Sequence, residues 1–115
     1  MMVTIYHNPR CSKSRQTLQL LQENNVSPEV VEYLKTPLDK TQLTELISKL
    51  GISVRDILRK SEQDYKDRAL NNSDLSNDAL LNAIVEAPKL MQRPIVVNGN
   101  KAAIGRPPEN VLEIL

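Results

Sequence analysis

Apolar and polar positions along the chain follow two rhythms. Val3-Thr4-Ile5-Tyr6 has the β-branched and aromatic content of a short strand, and Asn8-Pro9 ends it because proline cannot donate to a central ladder. From Cys11 or Ser12 the period becomes helical, with Thr17, Leu18 and Leu21 on one face, until Asn24-Asn25 and Ser27-Pro28 stop it. Val30-Val31-Glu32-Tyr33-Leu34 then predicts a second strand, apolar enough to be a buried one. The opening reads β-α-β.

The middle of the chain is helical. Asp39 followed by Gln42 has the form of a capping box; Leu43, Leu46, Ile47 and Leu50 recur on one helical face, and Gly51 supplies a C-terminal stop. Ser53 and Asp56 predict a short helix that turns Val54, Ile57 and Leu58 inward, with Arg59 near its end. Residues 61–75 are polar and predict loop or loose helix, after which Ser76 can cap a helix through Leu80, Leu81, Ile84 and Val85 that Pro88 closes.

Ile95-Val96-Val97, Asn98-Gly99 and Lys101 to Ile104 predict a hairpin, since Asn-Gly tolerates the positive φ angles of a tight turn. A last helix is expected over Glu109 to Leu115, after Pro107-Pro108. The resulting order, β-α-β, a helical insert around residues 38–87, and β-β-α, predicts an α/β fold: a mixed four-stranded sheet flanked by helices. At 115 residues and 13.0 kDa, a single domain over residues 1–115 with a modest core is the expectation.

Composition narrows the function classes. Apolar residues make 40 % and charged residues 25 %, with no Trp, no Phe and three Tyr, so the core is aliphatic and base-stacking platforms for nucleic acid are not expected. The N-terminus lacks the basic start and long apolar run of a signal peptide, and no stretch approaches the roughly 20 apolar residues of a membrane span. A cytoplasmic, reducing setting without membrane attachment follows as the expectation. With one cysteine, Cys11, and one histidine, His7, the chain cannot close an internal disulfide or a Cys/His zinc cage, and no metal site is expected.

The net charge of +1 conceals an uneven distribution. Residues 1–22 carry Arg10, Lys13 and Arg15 and no acid; residues 87–108 carry Lys89, Arg93, Lys101 and Arg106 and no acid. Residues 23–86 hold 12 acidic against 8 basic side chains. Two acid-free segments matter if the fold closes them on one place, where they would favour an anion.

Cys11 supplies a reason for such a place. It stands where a strand gives way to a helix, and a helix N-terminus offers unpaired N–H groups and the positive end of the macrodipole, which favour the nucleophilic thiolate as well as a bound oxyanion. Arg10, Lys13, Arg15 and His7 are close in sequence and act in the same direction. Cys11-Ser12-Lys13-Ser14 has the spacing of a C-x-x-C pair whose second thiol is a hydroxyl, so an outside thiol must resolve any covalent intermediate. Arg93-Pro94, just ahead of a strand, is a candidate cis bond that would turn the chain and hold Arg93 against the Cys11 loop.

The combination of Tyr6-His7-Asn8-Pro9, Cys11 with Ser14-Arg15, Gly51-Ile52-Ser53-Val54-Arg55 running into Leu58-Arg59-Lys60, Arg93-Pro94-Ile95-Val96-Val97, and Gly105-Arg106-Pro107 resembles arsenate reductases of the glutaredoxin-coupled type. The resemblance spans essentially the whole chain and implies a thioredoxin-like fold, with Cys11 attacking arsenate and Arg59, Arg93 and Arg106 binding the oxyanion. It makes Pro94 the cis-proline of that fold; Ser14 and Arg15 are expected to support the site, as is His7, whose proximity to Cys11 gives it a supporting electrostatic role. The resemblance further implies glutathione as co-substrate, glutaredoxin as partner and no bound cofactor; a monomer is expected. Another thiol-dependent reductase of this fold is an alternative, as is a regulator like the Spx group that contacts RNA polymerase. Many of those regulators carry the C-x-x-C switch that Ser14 removes here, and a polymerase-binding surface has no need of three arginines around a thiol.

Overall fold

The computed structural model describes residues 2–115, which divide into two units, one reaching through Thr36 and resuming at Arg93–Leu115, the other formed by Pro37–Gln92. The first unit holds strands β1 (Val3–His7), β2 (Glu29–Glu32), β3 (Ile95–Asn98) and β4 (Lys101–Ile104), in the sheet order β2-β1-β3-β4. β1 pairs in parallel with β2 and antiparallel with β3, and β3 pairs antiparallel with β4. The sheet is therefore mixed and four-stranded, as the sequence predicts. Helix α1 (Ser12–Glu23) is the crossover that a parallel pair requires.

Val3, Ile5 and His7 alternate as the buried positions of β1, so all three face one side of the sheet. On that side Val3, Ile5, Leu21, Val96 and Val111 form a core, with Leu18, Val26 and Ile114 packed against it. The face that builds this core also carries His7 toward α1.

β2 departs from the expected buried strand. It lies at the sheet edge, starts one residue earlier than the apolar run and ends at Glu32; Val30 remains 45 % exposed while Tyr33, just past the strand, is buried. The hairpin centres on Gly99-Asn100 rather than Asn98-Gly99, since Asn98 pairs with Lys101 and only Gly99 takes a positive φ, 62°. A glycine alone at the first central position is the type II′ pattern. The expected C-terminal α-helix is a 3₁₀ helix over Pro108–Ile114.

In the second unit, α2 (Lys40–Leu50) begins with Asp39 Oδ1 accepting the Gln42 N–H at 2.8 Å and Gln42 Oε1 accepting the Asp39 N–H at 2.9 Å. It ends at Gly51 in the left-handed region, φ 68°. A 3₁₀ helix covers Val54–Ile57, and α3 (Gln63–Asp67) condenses part of the polar stretch 61–75. α4 (Asn77–Glu86) is capped by Ser76, and a further 3₁₀ turn spans Pro88–Leu90. Leu43, Leu46, Ile47, Ile57, Leu80, Ile84 and Leu90 are buried.

Among the described residues, no helix is long and apolar enough to cross a membrane.

Candidate active site

The site is built on the turn between β1 and α1. Asn8-Pro9-Arg10-Cys11 is a β-turn with proline at its second position: the Asn8 carbonyl accepts the Cys11 N–H at 3.0 Å, and Asn8 Oδ1 accepts the Arg10 N–H at 3.0 Å. Cys11 then serves as the N-cap residue of α1, with φ −92°, ψ 124° and no side-chain capping bond. Its thiol is half-buried, and the first turn of α1 carries no acid. Acids are favoured in a first turn; Lys13 there runs against the macrodipole and adds positive charge beside the thiol.

Behind the turn, Ser14 is fully buried. Its Oγ accepts the Asn8 N–H at 3.0 Å and lies 2.6 Å from Nδ1 of buried His7. Burial lowers the His7 pKa below its usual 6.5 and Arg15 adds to that, against the opposing pull of Glu32, which sits beside His7 in the β1–β2 register. Burial thus favours the neutral form of His7, which shares a hydrogen bond with the Ser14 hydroxyl through Nδ1. Arg15 Nη1 donates to the Pro9 carbonyl at 2.9 Å and clips the turn to α1.

The second acid-free segment arrives from the other side. Arg93-Pro94 is cis, as the sequence predicts, and Arg106-Pro107 is cis as well. Arg106 Nη2 stands 3.5 Å from Cys11 Sγ, and its Nε donates to the Arg93 carbonyl at 2.8 Å. Two of the five guanidinium N–H donors are engaged by these contacts, so the remainder of the fork is available to a ligand at the thiol. Residues 95 positions apart in sequence thereby share one site.

Arg59 belongs to the second unit. Its N–H donates to the Leu90 carbonyl at 2.7 Å beside the Leu58–Met91 bridge, and its Nη1 pairs with Glu62 Oε1 at 2.5 Å. Sequence reasoning missed this carboxylate partner, which lies in the polar stretch left without a role. It also assigned Asn8 no part in shaping the turn, which both its backbone and its side chain do. Among the described residues, no group of three or more His, Cys, Asp or Glu is placed to hold a metal ion.

A thiol at a helix start, an arginine fork against it and a mixed sheet of this order define a thioredoxin-like protein equipped to present a cysteine to an anion. Residues 6–114 match the ArsC family, and the chain belongs to that family. It is 59 % identical over 114 residues to the Escherichia coli protein named Uncharacterized protein YfgD, covering 98 % of this chain and 96 % of that one. It is 50 % identical to the arsenate reductase of Haemophilus influenzae over the full length of both. The solved arsenate reductase of Vibrio cholerae superposes with a TM-score of 0.98 at 51 % identity, covering 100 % of this chain and 98 % of that one.

Proposed function

We propose that this protein reduces arsenate to arsenite through Cys11, drawing electrons from glutathione and glutaredoxin and using no bound cofactor. The observation that carries the reading is the Arg106 guanidinium 3.5 Å from Cys11 Sγ, anchored through Nε on the Arg93 carbonyl. Membership in the ArsC family and relatives named arsenate reductase support it.

The Cys11 thiolate displaces hydroxide from arsenate, forming an S–As(V) bond, while Arg106 and Arg93 take the negative charge on the oxyanion. The family resemblance adds Arg59 as a third ligand of the anion. A glutathione thiolate then attacks Cys11 Sγ; the S–As bond breaks with its electron pair on arsenic, arsenite leaves as As(III), and the two sulfurs share a disulfide. The chain has no second thiol to resolve that disulfide, so glutaredoxin reduces it. The cycle draws on the cytoplasmic glutathione pool, where we place the protein, acting as a monomer.

The test is a coupled assay with glutathione, glutaredoxin, glutathione reductase and NADPH. Arsenate should start NADPH consumption by the wild type, and Cys11→Ser should bring it to background. Wild-type protein with no arsenate-dependent rate defeats the reading.

A further inference from the structure

Gly105 joins the end of β4 to Arg106 and is buried. It has no need of glycine's conformational freedom, because its φ lies outside the left-handed region. What it lacks is room: a Cβ at this position would lie 2.6 Å from Thr17 Oγ1, 2.8 Å from Pro94 Cγ and 3.1 Å from Thr17 Cγ2. Neither neighbour is a loose end. Thr17 is fully buried on α1 with its hydroxyl donating to the Lys13 carbonyl at 2.8 Å, and Pro94 is buried. In a close-packed interior such an approach is relieved by moving backbone.

The backbone that would move carries Arg106. The Gly105 N–H donates to the Pro94 carbonyl at 2.9 Å, the Arg106 N–H to the Ile104 carbonyl at 2.9 Å, and Arg106 Nε to the Arg93 carbonyl at 2.8 Å. Main chain and side chain of 105–106 are thus registered on 93–94, while Thr17 stands in the second turn of the helix that Cys11 caps. We propose that Gly105 is a positioning residue: its missing side chain lets the end of β4 seat against Thr17 and Pro94, and that seating sets the gap between the Arg106 guanidinium and Cys11 Sγ. The inference deepens the proposed function, on which its catalytic significance rests, but its geometry concerns Arg106 and Cys11 alone.

The experiment is the rate of Cys11 alkylation by iodoacetamide at fixed pH in the full-length chain, for wild type, Gly105→Ala, Arg106→Ala and the double variant. Moving a guanidinium away from a partly exposed thiolate should slow Gly105→Ala about threefold. The same substitution should have no further effect once Arg106 is alanine, a non-additivity that a merely structural disturbance would not produce. Thr17→Ala, which removes the two contacts to Thr17 and leaves the one to Pro94 Cγ, should return part of the rate when combined with Gly105→Ala.

A folded Gly105→Ala protein alkylated at the wild-type rate overturns the inference, as does an equal slowing in the presence and absence of Arg106. Should Gly105→Ala alone fail to fold, the same cycle in a Thr17→Ala background decides between these outcomes. Alkylation needs no arsenate, so a wild type that turns over no arsenate would remove the proposed function and leave this result standing.

Discussion

At the scale of single residues, the site separates the thiol that we propose as the nucleophile from the groups that hold its turn in place. Cys11 caps α1 without spending its sulfur on the helix, and Arg106 faces that sulfur. His7, in contrast, is buried and bonded to Ser14, and its depressed pKa has a consequence for the whole chain. Below the unfolded value of about 6.5 the unfolded state binds a proton that the native His7 resists, so stability should fall as pH drops through that window and be flat above it. Because His7 is the one histidine in the chain, melting temperatures between about pH 5 and pH 7.5 report it directly, and His7→Gln should flatten the slope. A slope unchanged in that variant would mean that another group carries the dependence. The cluster was half legible in the sequence. Proximity placed His7 and Ser14 near Cys11, but only the period-2 alternation of β1 decides that His7 faces α1, and composition alone cannot reveal that face.

Among the elements, those with local chemistry followed the sequence closely. Asp39 and Gln42 cap α2 reciprocally, Ser76 caps α4 by accepting the Ala79 N–H at 3.1 Å, and Gly51 stops α2. Such signals are self-contained. Asp39→Ala should therefore cost about 1 kcal/mol in chemical denaturation, whereas Asp39→Asn should cost less; equal losses would mean that charge rather than capping matters.

β2 was less legible, because an apolar run does not state whether its strand is central or at an edge, and here tertiary placement overrides the pattern. Residues 61–75 are polar and lack a hydrophobic stripe, so nothing local predicts their order. Arg55 supplies it from a distance, its Nη1 donating to the Leu70 carbonyl at 2.9 Å and its Nη2 to the Asn72 carbonyl at 2.6 Å. Arg55→Ala should raise amide exchange around Leu70 to Asn72 more than in α2. Uniform acceleration across both would argue that Arg55 supports the unit as a whole.

For the molecule as a whole, charge distribution was the informative statistic. The near-neutral total hides two segments without acids, and the first unit brings Cys11 of one and Arg106 of the other within 3.5 Å. Sequence could name the residues through family resemblance, but the contact depends on strand order, since β1 lies beside β3 and β4 follows as its neighbour. Gly105 shows the same dependence: in sequence it is one of three glycines, and its role emerges only against Thr17 and Pro94.

The central claim is that Arg106 and Cys11 together seat an oxyanion for attack. Arsenate protection of Cys11 against iodoacetamide, measured over a range of arsenate concentrations, tests it most directly. Saturable protection in the wild type and at least about tenfold weaker protection in Arg106→Ala is the predicted result. Absence of protection at any concentration, or equal protection in both proteins, would contradict it.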